Sequence, residues 1–178
     1  MFALGIDPGL SRCGYGAVEG VAGGLRAVAS GHLTTPPGDP TSERLGVLLA
    51  DLRELMESLR PDVVVVERVL FQANARTAMS VGQASGVALA TAAGLGLPVV
   101  EYSPNEVKQA VTGYGSATKA QVQAMVQVLL HLGERPRQPD RADALALAIC
   151  HLTGAGLRAA AAAAGGAPTR VTQRTGPR

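Results

Sequence analysis

Asp7 closes the apolar run FALGID, Glu67 closes DVVVVE, and Asp140 and Asp143 stand three apart in PDRADALALAIC. Apolar runs that finish on a carboxylate place it at a strand end, on the rim of a sheet where α/β proteins bind ligands. An i, i+3 pair on a helix shares one face, separated by roughly 4.5 Å of rise. Brought together, these carboxylates would form an anionic cage in which like charges raise one another's pKa. Mg²⁺ or Mn²⁺ would relieve that cost. Two such ions per site, with Asp7 shared between them, suit in-line phosphodiester hydrolysis. The pattern points to a nuclease.

Each residue also has a structural reading. Asp7 could merely open the Pro8-Gly9 turn. Asp140 and Asp143 could complement the macrodipole in the first turns of a helix begun by Pro139. Neither reading accounts for Glu67, since a carboxylate directly after four valines is costly unless it is paired or binds metal. Arg68 is no partner for it, because adjacent strand residues point to opposite faces. His151 lies on the Asp143 face but eight residues on, roughly 12 Å of helix away, too far to share a metal. It reads as a surface or helix-end histidine, and with no companion His or Cys, zinc is disfavoured.

The chain of 178 residues, 47% hydrophobic with mean hydropathy +0.18, suits one folded domain plus a tail. Two cysteines, Cys13 and Cys150, give neither a disulfide framework nor metal-like spacing, which suits a reducing cytoplasm. With no basic n-region and Asp7 met almost at once, no secretory signal is expected. The stretch 81–100 is broken by Gln83, Ser85, glycines and Pro98, which makes it a close-packed helix rather than a membrane span. The net charge of +2 is a weak sign of nucleic-acid binding. Both lysines, Lys108 and Lys119, precede the Asp140/Asp143 helix. Lys119 follows GYGSAT, a helix entry whose backbone N–H groups could hold a phosphate, so the two lysines suggest a clamp on a DNA backbone. The alternative is a pair of ordinary solvated lysines.

These groups need a scaffold. FALGID, CGYGAVEG and LRAVASGHLTT read as three meandering strands. A helix follows over about 41–60, with Asp39 as its N-cap and an apolar stripe of Leu45, Leu48, Leu49, Leu52, Leu55 and Leu59. DVVVVE has the continuous apolar character of a strand buried on both faces. A small-residue helix over about 75–93, the strand LPVVEY, helices over about 104–112 and 118–132, and a last helix from Pro139 to about Leu157 complete a mixed α/β sheet covered by helices. Gly82 and Gly86 in the small-residue helix serve either tight internal packing or a dimer interface. From Ala159 the chain is low-complexity with spaced arginines, and is expected to be disordered.

LGIDPGLSRCGYGAV, VVVERVLFQANARTAMSVGQASGVAL, VKQAVTGYGSATKAQVQ and RADALALAICH, in this order, resemble the bacterial Holliday-junction resolvases of the RuvC family over about residues 1–157. The resemblance implies an α/β, ribonuclease-H-like mixed five-stranded sheet flanked by helices, with a nuclease domain over 1–157 and a disordered basic tail over 158–178. It also implies a homodimer and Mg²⁺- or Mn²⁺-dependent cutting of four-way junction DNA, alongside RuvA-like and RuvB-like branch-migration proteins. Carried over by position, Asp7, Glu67, Asp140 and Asp143 match the family's catalytic metal ligands. Lys108 and Lys119 match its basic residues near the scissile phosphate. The family's aromatic three residues after the glutamate is here Leu70, followed by Phe71. These two and Arg76 are the further candidates for DNA contact. Two other readings use the same residues: a general ribonuclease H acting on RNA–DNA hybrids, and a non-catalytic junction-binding scaffold.

Overall fold

The computed structural model describes residues 1–69, 75–136 and 138–164, with only the backbone of 75–77 and 155–164. Strands β1 (Phe2–Asp7), β2 (Arg12–Val21) and β3 (Gly24–Thr34) form an antiparallel meander. Helix α1 (Thr41–Leu59), strand β4 (Val63–Glu67), helix α2 (Ala75–Gly94) and strand β5 (Val99–Tyr102) follow. Helices α3 (Pro104–Thr112), α4 (Lys119–Leu129) and α5 (Pro139–Ala164) complete the order. The sheet runs β3-β2-β1-β4-β5, with β4 parallel to both β1 and β5. This is the mixed five-stranded sheet expected.

The four valines of β4 are fully or almost fully buried and alternate between two cores. Val63 and Val65 pack under α3, α4 and α5, whereas Val64 and Val66 pack under α1 and α2. A strand sandwiched this way needs no polar side, hence its unbroken apolar run.

Helix α5 lies unusually close to the sheet because glycines face it. A Cβ on Gly5 would overlap the Ala144 carbonyl oxygen, one on Gly14 the Asp140 carbonyl oxygen, and one on Gly16 would come within 2.6 Å of the Leu145 nitrogen. Real Cβ atoms do not tolerate such distances, so glycine is required where helix backbone meets strand backbone.

Several local expectations are corrected. Helix α1 is capped by Pro40, not Asp39: the N–H groups of Glu43 and Arg44 both donate to the Pro40 carbonyl, and no side-chain cap forms. Asp39 sits one residue too early, its own N–H turned back to the Pro36 carbonyl. The buried stripe of α1 is Leu48, Leu52 and Met56; Leu49 is exposed, because the i, i+4 row rather than Leu49 meets α2 and the sheet. His151 is buried, not superficial, with its Nδ1 3.2 Å from the Tyr102 hydroxyl. Helix α5 continues past Leu157 to Ala164, since six successive alanines have the highest helix propensity available. Residues 165–178 lie outside the described residues. No helix among the described residues is long and apolar enough to cross a membrane.

Candidate active site

Two strand ends supply the first two carboxylates. Ile6 and Val66 are cross-strand partners in the parallel β1·β4 pair, so Asp7 and Glu67 follow them at adjacent strand ends. Strand alternation then decides their direction. Ile6 and Val66 point to the α1/α2 side, so the next residue on each strand points to the α5 side. Helix α5 brings the other two. Asp140 rests over Gly14, the cross-strand partner of Asp7, and a Cβ on that glycine would stand 3.1 Å from the Asp140 Cβ. Asp143, one turn on, lines a cleft of about 250 Å³ together with Asp7, Glu67, Arg68 and Lys119.

The electrostatics agree with this convergence. Burial pushes the Asp7 carboxyl from its ordinary 3.8 up to about 8, and the negative charges of Glu67, Asp143 and Asp140 push it the same way. Lys119 works in the opposite sense without cancelling them. Glu67 is also raised, first by burial and then by Asp143, against the pull of Lys119 and Lys108. None of the ion pairs found among the described residues joins Glu67 to Arg68.

Side-chain cations currently answer part of this charge. Lys119 Nζ stands 3.3 Å from Asp143 Oδ2, and Arg12 Nε stands 3.5 Å from Asp140 Oδ2. The Asp143 carboxylate in turn raises the Lys119 ammonium above its usual value. Lys119 is held in place by the Thr118 capping box at the start of α4. Gln121 N–H donates to Thr118 Oγ1, and Thr118 N–H donates to Gln121 Oε1. Lys108, on α3, lines an adjoining cavity of about 150 Å³ with Glu67, Lys119 and Asp143. The two lysines therefore border the adjoining cavities that Asp7, Glu67 and Asp143 line, whereas Asp140, paired with Arg12, lines neither.

The donor set suits a hard divalent ion. It consists of carboxylate oxygens, and the nearby Cys13 thiol, pushed up to about 12 by burial, offers no thiolate. The cage expected from the sequence is not closed: among the described residues, no three His, Cys, Asp or Glu side chains stand ready to hold one ion. Asp140 and Asp143 are turned to Arg12 and Lys119, and a cation entering the cleft has to compete with those pairs.

Two site residues escaped the sequence reading. Arg12 shows no local signal, since its pairing with Asp140 depends on how α5 lies over β2. Arg68 was considered only as a partner for Glu67, yet it lines the cleft. Leu70 and Phe71 lie outside the described residues, as does the side chain of Arg76.

The family model described as "Crossover junction endodeoxyribonuclease RuvC" matches residues 3–151. A protein of that name from Moorella thermoacetica is 54% identical over 151 residues, covering 85% of this chain and 90% of the relative. One from Salinispora arenicola is 53% identical over 165 residues, covering 92% of this chain and 94% of the relative. Among solved structures, Thermus thermophilus RuvC in complex with a Holliday junction substrate superposes with a TM-score of 0.84 at 38% identity. That match covers 89% of this chain and 96% of the Thermus chain. With the fold, the cleft and these relatives in agreement, the chain belongs to the RuvC family of crossover junction endodeoxyribonucleases.

Proposed function

We propose that this protein resolves four-way DNA junctions by symmetric, divalent-metal-dependent hydrolysis of phosphodiester bonds, with Asp7, Glu67, Asp140 and Asp143 as the metal-binding carboxylates. The observation that carries the reading is the placement of Asp7, Glu67 and Asp143 in one cleft, with Asp7 driven to about 8 by burial and by its three acidic neighbours. A carboxylate cluster facing a polyanion is a poor device for binding alone and a suitable one for gathering Mg²⁺ or Mn²⁺. Two such ions, when bound, supply an activated water and charge relief at the leaving oxygen.

The chain's own residues do the rest. Asp7 and Glu67, fixed on paired strand ends, offer oxygens from the sheet side, while Asp140 and Asp143 offer them from α5. Lys119 and Arg12, paired now with Asp143 and Asp140, would be available to phosphate oxygens when those carboxylates hold metal instead. Lys108 lies on the α3 side of the same cleft and holds the strand there. Products carry 5′-phosphate and 3′-hydroxyl ends, and no protein nucleophile is needed.

Symmetric cutting calls for two copies, and α2 supports a homodimer. Ala84, Ala88 and Ala92 are buried against the sheet, whereas a Cβ on Gly82 or Gly86 would meet nothing within 4 Å and Met79 is exposed. Internal packing thus does not require those glycines, and a second copy would use them. Residues 1–157 form the catalytic unit in this reading, with 158–178 as a basic tail outside it. The protein acts on chromosomal junctions in the cytoplasm, with RuvA-like and RuvB-like branch-migration proteins as its partners.

The test is cleavage of a labelled synthetic four-way junction beside linear duplex and an RNA–DNA hybrid, with and without Mg²⁺ or Mn²⁺. Paired nicks in the junction alone, dependent on metal and lost in Asp7→Asn, are expected. Cutting of the hybrid instead would assign a ribonuclease H activity, and no cutting under any condition would leave a binding protein.

A further inference from the structure

The cations around the cleft divide by what already holds them. Arg12 and Lys119 are paired with Asp140 and Asp143. Lys108, on the α3 side, and Arg68, on the β5 side, take part in none of the ion pairs among the described residues. The Arg68 backbone is fixed, since its N–H donates to the Tyr102 carbonyl at 2.8 Å and extends the β4·β5 pairing. Among the described residues its exposed guanidinium gives one hydrogen bond, from Nη2 to the neutral Glu101 carbonyl oxygen at 3.2 Å. An arginine has five N–H donors in a fixed fork, so one neutral acceptor leaves most of its capacity unused.

The acidic group that senses Arg68, Glu106, is already engaged. Its Oε2 accepts from the Ser103 N–H at 2.8 Å and from the Ser103 hydroxyl at 2.7 Å, in the capping box of α3. Glu106 is therefore held at a helix end, where it feels the charge of Arg68 but forms no ion pair with it. The result is an arginine that lines the same cleft as Asp7, Glu67 and Asp143 and is held in no ion pair among the described residues. The bond to the Glu101 carbonyl draws its guanidinium toward β5, to one side of Glu67. That offset places it beside the carboxylate centre rather than in it.

We propose that Arg68 is a DNA-contact residue whose guanidinium fork grips the non-bridging oxygens of a phosphate flanking the one that is cut. This rests on the nuclease reading above and adds to it a residue acting before metal arrives. An acidic cleft repels the DNA backbone until its carboxylates are neutralised, and a cation held by no carboxylate lowers that barrier to first contact. A guanidinium suits the task because its planar donors match two phosphate oxygens at once.

The experiment is junction binding in EDTA over a series of salt concentrations, for wild type, Arg68→Ala and Arg68→Lys, with wild-type cleavage in Mg²⁺ run alongside. Arg68→Ala is expected to weaken binding about tenfold. It should also reduce the slope of log K against log salt by about 0.9. Arg68→Lys should restore the slope while recovering only part of the affinity. A second measurement places neutral methylphosphonates one at a time along the cut strand. One position flanking the cut should weaken wild type and leave Arg68→Ala unaffected. If Arg68 serves only as a latch onto the Glu101 carbonyl, Arg68→Ala keeps the wild-type salt slope and every methylphosphonate affects both proteins alike; either result overturns the proposal. Wild type that fails to cut junctions would instead sink the nuclease reading, so the two failures are distinct.

Discussion

Asparagine at position 7 is expected to stabilise the metal-free protein while abolishing cleavage. The Asp7 carboxyl has an ordinary value of 3.8 and stands near 8 in the fold, so folding favours its protonated form. A raised carboxyl contributes its full stability below pH 3.8 and loses it progressively as the pH climbs toward 8. At pH 7 the unfolded chain holds this group ionised and the folded chain holds it protonated. At about 1.4 kcal/mol per pH unit, the interval from 3.8 to pH 7 amounts to ~4 kcal/mol. Screening at a half-buried carboxyl reduces this to about 2 kcal/mol. Asp7→Asn removes the titration, so its advantage over wild type should be small near pH 4 and reach about 2 kcal/mol near pH 7. Urea unfolding in EDTA across that range measures it. Adding Mn²⁺ should reverse the order, because a ligand at a hundred times its Kd stabilises the protein that binds it by about 3 kcal/mol. Asp7→Asn less stable than wild type at every pH in EDTA would show that no electrostatic load rests on Asp7.

Three further outcomes follow from the same geometry. Glu67→Gln should lose at least ~100-fold in cleavage rate yet bind junctions in EDTA as well as wild type or better, since one charge facing the DNA backbone is gone; a gel-shift titration beside a cleavage time course checks both. Gly14→Ala should cost about 2 kcal/mol and most of the activity, because its Cβ would overlap the Asp140 carbonyl and lift α5 off the sheet, as thermal melts and cleavage assays can show. Thr118→Ala should cost about 1 kcal/mol by removing the cap of α4, and should lower cleavage more than that small loss implies, because Lys119 is the next residue.

Glu67 was legible from the sequence because four valines leave little doubt about a doubly buried strand, and the strand's end is then the residue's address. Asp7 followed from the same logic, and the helical pair from its spacing. The reading ran out where placement depends on how separate elements lie on each other. That Arg12 meets Asp140 and Lys119 meets Asp143 is decided by the seating of α5 on glycines of β1 and β2, which periodicity does not encode. The Leu49 and Met56 reversal has a similar origin: every leucine on α1 satisfies the helical period, and only contact with neighbouring elements selects the row that is buried. His151 misled because a histidine near a helix's middle looks solvated until a tyrosine from β5 is set opposite it.

Two of the four acidic groups ride on the last helix, and so does a continuous block of core, Leu145 to Cys150. During synthesis the sheet is complete well before α5 leaves the ribosome, with Ala3 and Val18 still waiting for its cover. A half-made chain therefore holds Asp7 and Glu67 without Asp140 and Asp143. By the proposed mechanism it is harmless to DNA, and its uncovered apolar face marks it for chaperones and proteases. With Asp140 and Asp143 acting as proposed, a chain cut short before residue 140 should therefore cut no junction, and the order of elements makes activity the last property the chain acquires.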